Sequence, residues 1–246
     1  MKIIPAIDLK DGKCVRLFQG EFDQSTEYSN DPVAVARRFS ALDVQDLHVV
    51  DLDGARSGEQ ANHVIVSTIT EETGLDVQLG GGIRDRDAVE AWLNHGVARC
   101  VIGSMAITDA GSVREWLREF GADRIVLALD VRVSTDGTPI LTTHGWTRDT
   151  ALSLWECIDQ YQDVGLKHVL CTDVSRDGAM SGPNIALYKE TARRYPNLVL
   201  QASGGVRHVG DLAELRAHGI PAAISGRALL DGAITSAEVA AFRQSA

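Results

Sequence analysis

Short β-branched apolar runs alternate with segments of helical period, and a set of motifs recurs 122–123 residues further on. Together these predict an α/β fold, a (β/α)8 TIM barrel built from two similar (βα)4 halves. The 246 residues show no Pro/Ser linker, low-complexity tract or shift in composition. A single domain over 1–246 is expected, with half-barrel repeats of about 1–122 and 123–246.

The expected strands are, in order, Ile3–Asp8, Leu47–Asp51, Asp76–Gly80, Arg99–Gly103, Ile125–Asp130, His168–Asp173, Leu198–Ser203 and Ala222–Ser225. Their apolar residues run almost without interruption, as strands covered on both faces require. Helical period appears between them over Pro32–Leu42, Asp85–His95, Asp109–Glu119, Asp149–Asp163 and Asn184–Tyr195. Asp31 before Pro32, Asp85, Thr108-Asp109 and Asn184 supply short polar side chains that accept an orphan helix N–H. Gly96, Gly121, Gly165 and Gly219 follow helix ends, where a left-handed residue closes the last turn.

The repeat separates this barrel from a doubly wound open sheet, which does not generate two matching (βα)4 halves. Gly81-Gly82-Ile83-Arg84 returns as Gly204-Gly205-Val206-Arg207, His95-Gly96-Val97 as His218-Gly219-Ile220, and Gly103 as Gly226, all 123 residues on. Ala6-Ile7-Asp8-Leu9 matches Ala128-Leu129-Asp130-Val131 at 122. With small gaps, Leu47-His48-Val49-Val50 is set against Lys167-His168-Val169-Leu170, and Asp53-Gly54-Ala55 against Asp177-Gly178-Ala179.

Composition narrows the function. Lys and Arg number 24 against 34 Asp and Glu, a formal charge of −10. A basic footprint for nucleic acid or an anionic membrane is therefore not expected. No apolar run reaches the length of a membrane span, and Asp8 and Lys10 interrupt the only N-terminal one, so no signal peptide is read. Cys14, Cys100, Cys157 and Cys171 stand alone and read as free thiols of a reducing, cytoplasmic compartment. No His/Cys/Asp cluster has metal-ligand spacing, and no metal is expected. None of the five lysines ends a strand, which argues against Schiff-base aldol chemistry.

A barrel carries its active site at the C-terminal ends of its strands. Asp8 and Asp130 end the first and fifth expected strands, so two carboxylates face one another across the mouth. Such a pair suits a reaction in which one group takes a proton from carbon and another gives one to oxygen. Gly80-Gly81-Gly82 and Gly103-Ser104 end strands three and four; Ser203-Gly204-Gly205 and Gly226-Arg227 end strands seven and eight. Glycine lets backbone N–H groups approach an anion, and a phosphate site after strands seven and eight recurs in this fold. A complete second copy implies two phosphate sites and a small-molecule substrate phosphorylated at both ends. None of these clusters has the P-loop pattern. Arg16 and Arg84 follow strand one and the first glycine block and can neutralise phosphate or hold a carboxamide. Trp146 can lie over a planar base, and Thr172, Asp173 and Asp177 can complete a proton-transfer network after strand six. His48 and His168 are read at strand starts, away from the chemistry, and His95 and His218 as helix-end residues.

These residues resemble a known family over essentially the whole chain. Ile4-Pro5-Ala6-Ile7-Asp8-Leu9, Val15-Arg16-Leu17, Val49-Val50-Asp51-Leu52-Asp53-Gly54-Ala55, Gly80-Gly81-Gly82-Ile83-Arg84, Ala128-Leu129-Asp130-Val131-Arg132, Gly145-Trp146, Thr172-Asp173-Val174-Ser175-Arg176-Asp177-Gly178 and Ser203-Gly204-Gly205-Val206 are similar to the phosphoribosylformimino-aminoimidazole-carboxamide ribotide (ProFAR) isomerases of histidine biosynthesis. The resemblance implies a cofactor-free Amadori rearrangement of an aminoaldose to an aminoketose, with no obligate protein partner. It implies Asp8 as general base and Asp130 as general acid, with Thr172 and Asp177 at further functional positions and Asp177 as the alternative acid. Ser225 departs from the small apolar residue that relatives usually carry. Two related activities stay open: an isomerase that also accepts phosphoribosylanthranilate, and the cyclase subunit of imidazole glycerol phosphate synthase. The cyclase motif usually reads Pro-Cys-Leu-Asp-Val where this chain has Pro5-Ala6-Ile7-Asp8-Leu9. A non-catalytic phosphosugar-binding protein is the reading of a different class.

Overall fold

All eight expected segments form strands in the computed structural model, which describes residues 1–18, 21–143 and 145–244. Residues 19–20, 144 and 245–246 of the expected 1–246 domain lie outside the described residues. In chain order the strands are β1 (Lys2–Lys10), β2 (Lys13–Phe18), β3 (Glu21–Ser29), β4 (Asp46–Asp51), β5 (Asp76–Gly80) and β6 (Arg99–Ile102). They continue as β7 (Ile125–Val133), β8 (Pro139–Thr143), β9 (Arg148–Ser153), β10 (His168–Asp173), β11 (Val199–Ser203) and β12 (Ala222–Ser225). Eight of them run parallel in the order β10-β11-β12-β1-β4-β5-β6-β7, and pairing of β7 with β10 closes the barrel.

The register shows how the repeat is built. Asp8 pairs with Val50 and Asp130 with Thr172; Ala6 pairs with His48 and Ala128 with Leu170. His48 then pairs with Gln78 and Leu170 with Gln201. The two strand sets correspond at 122 residues on β1 and β4, and at 123 from β5 onward. His48 therefore matches Leu170, two positions from the His168 to which the sequence alignment sets it. Asp51 and Asn62 likewise match Asp173 and Asn184. In each pair the Asn side-chain N–H donates to the Asp carboxylate at 2.7 Å. That correspondence replaces the gapped alignment of Asp53 with Asp177.

Side chains from alternate strand positions fill two cores. Ile4, Ala6, Val101, Val126, Leu170, Ala222 and Ile224 pack inside the barrel. Leu47, Val49, Val77, Leu79, Leu127, Leu129, Val169 and Cys171 face outward against a layer of helices and turns that brings Trp92, Tyr161 and Tyr188. Burying one such side chain contributes roughly 1.5–3 kcal/mol, so this outer layer supplies most of the driving force. The helices begin where expected. Asp31, Asp85, Asp109 and Asn184 accept from Ala34, Ala88, Ser112 and Leu187 backbone N–H groups at the starts of Pro32–Ser40, Arg86–Asn94, Ala110–Phe120 and Ile185–Arg194. No described helix is long and apolar enough to cross a membrane, and the four cysteines are buried and unpaired.

Two regions differ from the sequence reading. The expected helix Asp149–Asp163 is strand β9, then a helix at Leu154–Asp159 and a 3-10 turn at Gln162–Val164. Ser153 and Glu156 form a reciprocal capping box that starts the helix five residues late, and β9 before it pairs with β8. The second difference is a pair of rim hairpins. Strand β1 turns back into β2 and β3, and β7 into β8 and β9, so the first strand of each half extends past the barrel.

Candidate active site

Parity along β1 and β7 turns Asp8 and Asp130 inward, at the C-terminal rim, on the wall of a cavity of about 300 Å³. The rim hairpins hand each carboxylate a different set of partners. Arg16 arrives on β2; its Nη1 donates to Asp8 Oδ2 at 3.1 Å, and its Nη2 donates to both oxygens of Asp177 at 2.7 and 2.8 Å. Burial works against the Arg16 charge, but Asp177 and then Asp8 outweigh it and hold the guanidinium protonated. Among the described residues, no cation pairs with Asp130. Trp146 Nε1–H donates to its Oδ2 at 2.8 Å, and the Thr172 hydroxyl donates from the neighbouring strand.

These surroundings shift both acids in the same direction, with burial the largest cause for each and different groups opposing it. Burial pushes Asp8 above the ordinary carboxylate range, Arg16 pulls it back, and Asp177 adds to the rise. Burial raises Asp130 too, against the neutral donors Trp146 and Thr172, with Asp177 again adding repulsion. A carboxylate beside a guanidinium keeps its charge more readily than one held by neutral donors. The site thus contains two acids of unequal character.

Glycines from both halves flank them. Gly80, Gly81 and Gly103 line one side of the cavity; Gly204, Gly205 and Gly226 line the other, with Ser203 and Arg227. Close approach demands glycine here. A Cβ on Gly81 (φ +107°) would stand 2.1 Å from the Asp51 carbonyl oxygen, and one on Gly205 (φ +88°) 2.4 Å from that of Gly182. Each cradle therefore packs on the loop that its Asp–Asn pair braces. Backbone N–H groups freed of side chains can hold a phosphate at either end.

Among the sequence-predicted residues, Asp8, Arg16, Gly81, Gly103, Asp130, Trp146, Thr172, Asp177, Gly204, Gly205, Gly226 and Arg227 come together on this wall. Gly82, Arg84 and Ser104 do not. Gly82 packs on the Gly54 carbonyl oxygen. Arg84 is exposed and donates to the Ala55 carbonyl at 3.0 Å, bracing the loop after β4 from outside. Ser104 is exposed at the start of a one-turn helix. Arg16, read as a phosphate or carboxamide ligand, instead joins two carboxylates. His48 corrects the sequence reading in the other direction: it points into the barrel and lines the cavity floor. Leu17, Val50, Leu52, Met180 and Val206 also line the cavity without having been singled out. Their signal in the sequence is weak, because an apolar residue at a barrel mouth looks like any other core residue. Among the described residues, no group of three His, Cys, Asp or Glu side chains converges as a metal site.

A parallel barrel with paired inward acids at its rim and glycine cradles beside them has the parts that acid/base chemistry on an anionic metabolite needs. The family model described as "Histidine biosynthesis protein" matches residues 2–235, and the chain belongs to that family of histidine-biosynthesis enzymes.

Proposed function

We propose that this enzyme isomerises ProFAR, a bisphosphorylated aminoaldose, to the aminoketose PRFAR. The observation that carries the reading is the pair Asp8 and Asp130, at matching rim positions with unlike partners: a cation for one, neutral donors for the other. Pairs of acids whose surroundings set them apart divide into base and acid. Arg16 favours the charged form of Asp8, which suits a base. Burial favours the protonated form of Asp130, which suits an acid. Both oxygens of Asp177 accept from Arg16, which supports a role in orienting that arginine.

The steps balance without an added reagent. Asp130 gives its proton to the furanose ring oxygen as the C1–O bond breaks, and the amine lone pair closes a C1=N bond. Asp8 then removes the C2 proton; the C2–H electrons form C1=C2, and the C=N pair moves to nitrogen. Protonation at C1 with loss of the C2 hydroxyl proton leaves the ketone. The two glycine cradles hold the phosphates and so fix C2 against Asp8, a positional gain that free reactants lack.

The test incubates the protein with ProFAR and, separately, with phosphoribosylanthranilate, resolving substrate and ketose chromatographically. Conversion of ProFAR alone is the expected result, and conversion of both substrates makes the enzyme bifunctional. Inertness towards ProFAR, together with ammonia-dependent cleavage of PRFAR, would replace the reading with the cyclase.

A further inference from the structure

Beneath the two acids the barrel carries a polar group that packing does not require. His48 lies on the inward face of β4, beside Ala6 and so one inward step below Asp8. Its register counterpart in the second half is Leu170, packed in the inner apolar cluster. The same layer of the same barrel therefore accepts leucine, and the imidazole at 48 is not demanded by the fold.

The orientation of the Gln78–Gln201 pair sets what His48 offers the cavity. These buried amides stand 123 residues apart and exchange hydrogen bonds: Gln78 Nε2 donates to Gln201 Oε1 at 2.7 Å, and Gln201 Nε2 donates to Gln78 Oε1 at 3.0 Å. With its oxygen accepting from Gln201, Gln78 presents nitrogen to the remaining neighbour, His48 Nδ1 at 3.1 Å. A ring nitrogen that accepts carries no hydrogen, so the proton of the neutral imidazole sits on Nε2. The ring is neutral because burial, and then the nearby Arg16 charge, lower its pKa to about 3.

We propose that His48 Nε2–H is a fixed neutral donor to the substrate oxygen on the carbon that Asp8 deprotonates, held in that tautomer by the Gln78–Gln201 pair. The inference rests on the isomerase reading above. It assigns a group to the oxygen where a hydroxyl becomes a carbonyl, and the proton stays on Nε2 throughout. A neutral donor stabilises charge building on that oxygen without offering Asp8 a competing cation. Gln78 and Gln201 are positioning residues: turning both amides over would keep their mutual bonds but present an oxygen to His48 and move its proton to Nδ1.

The experiment uses the full chain labelled with 15N-histidine. Long-range 1H–15N spectra separate the two tautomers, and the His48 signals among the seven histidines are those lost in His48→Leu, or in His48→Gln should the leucine variant not fold. The expected result is the Nε2–H pattern, unchanged from pH 5.5 to 8; an Nδ1–H pattern or a titrating ring overturns the proposal. With the aminoaldose bisphosphate as substrate, His48→Leu should lower kcat about 10²-fold, as loss of one preorganised donor does, with KM within a few-fold. His48→Gln, whose amide N–H reaches the Nε2 position, should recover at least tenfold of that loss. A leucine variant within threefold of wild type, or a glutamine variant no better than leucine, also overturns it. Failure of the isomerase reading looks different: wild type then leaves the bisphosphate unchanged, while the tautomer is still read from the spectra.

Discussion

Replacing Trp146 by Phe removes one hydrogen bond and keeps most of the ring, so it isolates what the indole N–H does to Asp130. The bond is 2.8 Å long and ends on Asp130 Oδ2. A donor to the charged form of a carboxylate lowers its pKa, and Trp146 acts here against the rise that burial causes. Loss of the donor therefore raises the Asp130 pKa further. A hydrogen bond to a charged group is worth about 1.5–3 kcal/mol, and one pKa unit about 1.4 kcal/mol. Thr172 remains as a second donor and takes up part of the loss. The expected rise is about one unit. Because Asp130 must be protonated to act as the acid, activity is retained below its pKa and lost above it. The alkaline limb of kcat/KM should accordingly move up by about one unit, while the acidic limb set by Asp8 stays in place. The assay is a kcat/KM profile for ProFAR isomerisation in wild type and variant. An alkaline limb that stays put, or moves down, refutes Asp130 as the acid tuned by Trp146 and directs attention to Asp177.

Three further outcomes are expected. Asp8→Asn should bind substrate with a near-normal KM and lose about 10³–10⁴-fold in kcat; turnover near wild type removes Asp8 as the base. Asp130→Asn should be more stable than wild type at neutral pH. A carboxyl whose pKa is raised on folding binds its proton more tightly in the native state. Wild-type stability therefore falls as pH rises from 3.8 through the raised folded value, and the amide has no charge to desolvate. Melting curves at pH 4 and pH 7 check this, and an unchanged pH dependence in the variant counts against it. Gln78→Leu should cost about 1–3 kcal/mol by leaving Gln201 half-satisfied, whereas the Gln78→Leu, Gln201→Leu double variant should cost less than the two singles together. Additive denaturation energies would show that the amides act separately.

The barrel was legible because its strands are apolar on both faces, and the same property concealed which way each side chain points. Leu47 and Val49 pack outward, so His48 and Val50 face in, but a continuous apolar run carries no parity. The run alone therefore places His48 at a strand start, whereas the fold puts it on the cavity floor. The acids were legible because each half places one at the same point. Arg16 was only half legible: the residue stood out, but its bond to Asp177 spans 161 residues and depends on a hairpin that was not foreseen. A local signal for that hairpin existed. Asp11-Gly12, with φ of +50° and +74°, is the Asp-Gly pair that a tight two-residue hairpin turn calls for, and Asp136-Gly137 marks the second hairpin. Strand β3, Glu21–Ser29, is too polar for an apolar-run criterion to detect.

The two halves explain position, and the breaks between them carry the proposed division of roles. Asp8 and Asp130, Gln78 and Gln201, and the Asp51–Asn62 and Asp173–Asn184 pairs all recur in matching places. If the repeat were complete, the two acids would have the same partners and no reason to divide into base and acid. Departures from it cluster at the mouth. The neighbour across the strand pair is Val50 for Asp8 and Thr172 for Asp130, so one acid gains a hydroxyl donor that the other lacks. Each acid also has its own rim partner: Arg16 from β2 binds Asp8, and Trp146, between β8 and β9, binds Asp130. His48 faces the cavity where its counterpart is Leu170. Restoring symmetry is then a direct test of this division. A Thr172→Val variant gives Asp130 the neighbour that Asp8 has, and should raise the alkaline limb of kcat/KM in the same direction as Trp146→Phe. If the limb stays in place, the Thr172 hydroxyl does not tune Asp130, and the break in symmetry between Val50 and Thr172 has no part in setting the roles of the two acids.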